Sequence, residues 1–145
     1  MSWVERSFDA RGPRALLLVR LLTGAVFVSE GVQKFLYPDA LGAGRFARIG
    51  IPAAELLAPF VGVVEIAGGG LLLVGLATRL ATIPLIIDMI VAIGTTKLPI
   101  LQKGGFWAMA HEARTDWAMI FGCLILLLVG AGPLSLDARV GARRA

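Results

Sequence analysis

Residues 117–136 read WAMIFGCLILLLVGAGPLSL, with no charged side chain among them. About 20 apolar residues is the length a helix needs to cross a hydrocarbon layer about 30 Å thick. A stretch this apolar fixes the solvent in which the rest of the chain must be read, and that solvent is a bilayer. The composition agrees. The 145 residues are 57% hydrophobic and 17% charged, with a mean hydropathy of +0.82. Soluble domains run at about 45–50% apolar and about 25% charged residues. A disordered chain is excluded, the balance argues strongly against a soluble globule, and the length suits one membrane domain covering residues 1–145.

Working outward from that stretch, four spans are predicted: residues 15–36, 52–76, 80–101 and 117–134. The expected fold class is all-α, a polytopic four-transmembrane-helix bundle. Arg20 interrupts the first apolar run early and no small-residue cleavage site follows it, so this run is read as a retained span. Tyr37–Ile51, with Pro38, Gly42 and Gly44, reads as a loop or short surface helix. Gln102–Asp116 mixes aromatic, basic and acidic residues and reads as a surface segment between the third and fourth helices. Gly130, Gly132 and Pro133 stop the last span, and Ser135 caps a short helix after it.

Four passes leave both termini on one side. With residues 1–14 and 135–145 inside, that side holds Arg6, Arg11, Arg14, Arg79, Arg139, Arg143 and Arg144. The other holds Arg45, Arg48, Lys103 and Arg114. The bias predicts cytoplasmic termini in a bacterial inner membrane. It also gives the net charge of +4 a membrane explanation, so no nucleic acid is expected as a partner. Phe35, Tyr37, Trp107 and Trp117 would then form an outer aromatic belt.

Charges lie inside the spans. The first span carries Arg20, Glu30 and Lys34, the second Glu65, and the third Asp88 with Lys97 near its outer end. A charge near mid-bilayer costs about 2.5–3.5 kcal/mol on insertion scales, so such groups face the bundle interior and pair there. At 100° per residue, Arg20, Thr23, Glu30 and Lys34 share an arc of about 80°. Glu30 and Lys34 are spaced for an intrahelical ion pair. These six residues, three acids and three bases, are expected to form one polar seam between the first three helices, with the fourth as an apolar wall. The seam is a structural set of ion pairs, or one of its acids is left to bind a polar headgroup or a proton. Ala58, Gly62, Ile66 and Gly70 give the second span a small-residue face for close packing.

Outside the spans, His111 and Glu112 are the remaining candidates. Their H-E-x3-D pattern with Asp116 has no established ligand spacing, and an ordinary surface helix explains them, so no metal is expected. With a single cysteine, Cys123, and a single histidine, the chain offers no internal disulfide, no bis-histidine haem site and no Cys/His zinc site. Cys123 reads as an inert core thiol.

Several pieces then occur in order: RLLTGAVFVSEGVQK (20–34), EIAGGGLLLVGLATR (65–79), Asp88-Met89 with Ala92, and GAGPLSLD (130–137). Together they resemble the DoxX family of small four-helix membrane proteins, from about Arg20 to Arg139. That resemblance implies a membrane subunit or anchor of a redox complex linked to quinones or thiols. Family members include subunits of thiosulfate:quinone oxidoreductases and proteins tied to oxidative stress or to quinone and catechol resistance. Whether this chain is itself an enzyme is left open, because it has no cofactor signature of its own. A quinone is the candidate bound group, and oxidoreductases, the lipid and further copies of the chain are the candidate partners. The alternatives are a small proton-coupled carrier, favoured by ionisable residues in spans, and a membrane scaffold.

Overall fold

The computed structural model describes residues 12–142, and the described residues form helices without strands. In chain order they are α1 (Leu16–Leu36), α2 (Ala43–Arg48), α3 (Ala54–Val74), α4 (Thr78–Ala92), a π-helical turn (Ile93–Lys97), α5 (Leu98–Glu112), α6 (Arg114–Val129) and α7 (Leu136–Ala142). Three helical stretches are long and apolar enough to cross a membrane: 16–36, 54–74 and the run 78–112. The expected fourth span is shorter than its sequence suggests. Helix α6 has 16 residues, about 24 Å of rise. It begins inside the expected surface segment and stops at Gly130, whose φ of 96° breaks the helix. Arg6, Arg11, Arg143 and Arg144 of the charge argument lie outside the described residues.

Helices α1 and α3 make the most extensive contact, and the sequence provides for it through glycine. A Cβ on Gly24 would come within 2.7 Å of the Gly69 carbonyl, and one on Gly31 within 2.6 Å of the Gly62 carbonyl. Backbones this close need residues without side chains. The two contacts set an antiparallel register in which Arg20 lies opposite Leu73 and Val28 opposite Glu65. Of the expected small-residue face, Ala58 and Gly62 are buried in this packing. Gly70 is not, since a Cβ there would meet nothing within 4 Å. Gly69, one residue earlier, does its work. Replacing Gly31 by leucine is expected to part α1 from α3 and cost about 3 kcal/mol or more, in the range of core overpacking and beyond. Thermal unfolding in detergent would check it, with Gly70→Leu as the tolerated control.

The core between the helices holds Leu16, Phe27, Leu72, Leu85, Met119, Cys123 and Leu126. Cys123 is fully buried there, as expected of a packing thiol. Large side chains turned outward, such as Leu18, Leu56, Phe60, Ile87 and Leu128, face where lipid would be. The expected aromatic belt is likewise turned outward, with Trp107 82% exposed and Phe35, Tyr37 and Trp117 about half exposed.

The expected surface segment is helical. Helix α4 continues through the π turn into α5, which starts with Pro99 in its first turn and bends at Gly105, where φ is 77°. The loosened turn has a local cause. Thr95 and Thr96 donate their hydroxyls to the carbonyls of Val91 and Ala92, competing with the helix ladder.

Candidate functional site

The six residues expected to form one seam separate into two sites at opposite ends of the bundle. Arg20 belongs to neither Lys34 nor Asp88. It is 2% exposed and spreads its guanidinium over four backbone carbonyls. Nε donates to Leu72 O at 2.9 Å and Nη2 to Leu73 O at 2.9 Å, while Nη1 donates to Ala131 O at 3.2 Å and Leu134 O at 2.7 Å. Leu72 and Leu73 lie in the last turn of α3, where carbonyls run short of helical partners (Leu72 O keeps only the Gly75 amide) and a positive charge is favoured. The register of α1 against α3 brings Arg20 to that level, and a planar fork of five donors suits such a cluster.

Asp137 completes this end. Its Oδ1 accepts from the Ala77 amide at 2.7 Å and its Oδ2 from the Thr78 amide at 3.0 Å, capping α4 from a helix 59 residues further on. Its own amide donates to Gly75 O. The carboxylate also lies near enough to Arg20 to attract it. This grip holds Ala77 in the left-handed region at φ 47°, a conformation that costs a non-glycine residue about 1–2 kcal/mol. Ser135 caps α7 as expected, its Oγ accepting from the Ala138 amide.

The second site is a cavity of about 410 Å³ at the other end. Glu30 and Lys34 of α1, Glu65 of α3, Asp88 of α4 and Lys97 of the π turn all line it, so five of the six expected residues come together. Their pairing differs from the expected one. Lys34 does not pair with Glu30 on its own helix but crosses to α3, with Nζ 2.5 Å from Glu65 Oε2. The reason is burial. Glu65 is 2% exposed, whereas Glu30 sits at the exposed rim, and a buried charge is the costlier one to leave alone. A helical side chain also leans toward its helix N-terminus, which carries the Lys34 ammonium back toward the level of Glu65. Asp88 places its carboxyl beside that of Glu65, so one ammonium faces two acids. Asp88 Oδ2 is buried and has no hydrogen-bond donor.

Helix α6 starts ahead of the expected fourth span, and its first turn adds a charge to the apolar wall. It brings Asp116 to the cavity, 3.3 Å from Lys97 Nζ. Phe27, Phe46, Ile49, Val61, Met89 and Met119 supply the apolar part of the lining. Arg45 joins from α2.

A model of the DoxX family matches residues 15–98, from α1 to the start of α5 and including Lys34, Glu65, Asp88 and Lys97.

The chain belongs to the DoxX family.

It is 55% identical to the "Uncharacterized membrane protein Rv3486" of Mycobacterium tuberculosis, over 98% of this chain and 90% of that protein. It is 32% identical to the "Putative oxidoreductase CatD" of Bacillus subtilis, over 83% of each. It is also 33% identical to an "Uncharacterized protein" of Haemophilus influenzae, over 86% of this chain and 90% of the other. No solved structure matches it. It is a multi-pass membrane protein in contact with lipid.

The two outer-loop candidates of this DoxX protein part company. Glu112 reaches the cavity lining, whereas His111 is exposed on α5, and its backbone carbonyl accepts from Arg114. No three His, Cys, Asp or Glu side chains among the described residues converge as a metal site. Replacing His111 by alanine is therefore expected to change stability by less than about 0.5 kcal/mol, as for an unengaged surface residue, and to leave the melting temperature insensitive to zinc. Sequence reasoning missed Asp116, Arg45 and Asp137 as site residues. Asp116 had one available signal, since it begins an otherwise charge-free stretch. Asp137 had none, because its partners are backbone amides of another helix.

Proposed function

We propose that this DoxX protein is a membrane subunit of a redox complex, and that its cavity receives the headgroup of a lipid-soluble quinone-type molecule. The observation that carries this reading is the cavity itself. Its volume falls in the range of about 300–1,000 Å³ usual for small-molecule sites. It also combines an apolar wall with ionisable groups held at membrane depth, where such groups are retained for pairing or function. A flat ring would lie against Phe27, Phe46 and Met89, and its polar substituents would meet Glu30, Lys34 and Asp88. A quinone carries electrons together with protons. What the chain itself contributes is binding, orientation and proton-bearing side chains, with further redox centres in partner oxidoreductases. The name of the CatD relative supports the redox class.

The termini are proposed to face the cytoplasm of a bacterial inner membrane, which puts the cavity at the outer end and the Arg20 clamp at the inner one. A reporter fused after Ala145 should then be active only on the cytoplasmic side, and periplasmic activity would reverse the assignment.

Purification of the tagged chain from native membrane in mild detergent, followed by mass spectrometry of co-purifying proteins and lipids, tests the functional reading. An oxidoreductase or a stoichiometric quinone is the expected result. A preparation holding neither, however mild the extraction, would overturn it.

A further inference from the structure

Helices α1 and α6 are packed together at one end and stand apart at the other. A Cβ on Gly122 would come within 2.6 Å of Thr23 Oγ1, so the two helices are in close contact at that level. Toward the Arg20 end, Leu16 of α1 and Leu126 of α6 are buried. Toward the cavity end the same two stripes come open. Along α1, Thr23 is buried, Val26 half-buried and Glu30 exposed. Along α6, Met119 is buried, Asp116 half-buried and Thr115 exposed. Val26, Glu30, Thr115, Asp116 and Met119 all line the cavity, so the gap between the diverging helices is continuous with it.

The other sides are better covered. In the ring α1–α3–α4–α6 the contact of α1 with α6 is the least extensive. Phe46 and Ile49 of α2 are half-buried over the lining, and α2 packs on α3. Glu30 lies about 9 Å before the end of α1. At that depth an acid open to lipid is costly, and a polar headgroup in the gap would shield it. Val26 and Met119 give the same gap apolar walls.

We infer that the ligand enters the cavity sideways from the lipid, between α1 and α6, and that its apolar tail stays in this crevice while the headgroup fills the cavity. This rests on the reading of the cavity as a quinone-type site and adds the route and the seat of the tail. The ligand is then an amphiphile dissolved in the membrane, not a ring arriving from water. Thr115 stands at the lip of the crevice. It is exposed there, so a larger side chain closes the path without repacking the core.

The full chain in lipid nanodiscs would be titrated with decyl-tailed dimethoxybenzoquinone, and with the same ring carrying a methyl group in place of the tail. In Thr115→Trp the tailed probe is expected to bind at least about tenfold more weakly than in the parent, because the indole overpacks the path of the tail. The methyl probe is expected to stay within about threefold, as are both probes in Thr115→Val, which keeps the size of the side chain. Elution as a single species and an unchanged melting temperature would show that the variants are folded. A diazirine on the first carbons of the tail gives a second measurement on the parent chain alone. Its marks are expected in residues 25–30 of α1 and 115–122 of α6, and marks spread over the outward faces of α3 and α4 would overturn the route. Equal loss of both probes in Thr115→Trp would place that residue against the headgroup and overturn the crevice, as would no loss of either. Failure of both probes to bind the parent would overturn the reading of the cavity itself.

Discussion

Arg20→Leu is expected to lower stability by about 3–5 kcal/mol, the cost of breaking a buried polar cluster from one side. Leucine fills the space but donates nothing. The carbonyls of Leu73, Ala131 and Leu134 would lose their side-chain donor inside the bundle, while that of Leu72 would keep the Gly75 amide, and each orphaned buried acceptor costs about 1–3 kcal/mol before relaxation. Asp137 would keep its amide partners but lose the nearby positive charge. Arg20→Lys is expected to fall only part of the way back, because one ammonium cannot reach both the end of α3 and the segment after α6. Equilibrium unfolding in mixed detergent micelles would measure both. If Arg20→Leu unfolded at the same point as the parent, the guanidinium would not be what closes this end of the bundle.

Lys34→Met carries the second large effect. Removing the ammonium leaves Glu65 and Asp88 side by side at membrane depth with no counter-charge. Breaking a buried pair from one side costs about 3–5 kcal/mol, whereas replacing both partners by apolar residues is often close to neutral. The double substitution Lys34→Met with Glu65→Leu is therefore expected to recover part of the stability that the single one loses, Asp88 still lacking its counter-charge. Binding of a quinone-type ligand should not recover with it, because methionine and leucine restore packing but not a polar cavity. The double-mutant cycle separates the two roles. Equal losses from the single and the double substitution would mean that α1 and α3 are not coupled through this ion pair.

These two sites also show where reading the sequence succeeds and where it stops. The spans were legible because apolar length is a local property: α1 and α3 fall within two residues of their expected bounds, while α6 ends at Val129, five residues before the expected 134, at the glycine the sequence marks as a stop. The charges were legible as important because each is expensive in a bilayer wherever it points. Their grouping was not legible. Helical spacing placed Arg20 on one arc with Glu30 and Lys34, but a long side chain ends several ångströms from its own Cα. Arg20 uses that reach to find helix-end carbonyls, which the sequence does not display. The choice of Glu65 over Glu30 by Lys34 depends in the same way on which acid the packing buries.

Glycine shows the same division. Small residues in α3 announce a close helix contact, but Gly69 and Gly70 are neighbours, and only the crossing with α1 decides that the first is packed and the second is open. The sequence by itself determined that the chain lives in a membrane as an all-helical protein, roughly where its apolar segments run and which residues must be shielded from lipid. Each of those follows from local composition and the cost of charge in hydrocarbon. The tertiary structure alone decided that the polar residues form two sites at opposite ends, one closing the bundle and one lining a cavity. That depends on helix register, and register is set by contacts between residues far apart in the chain.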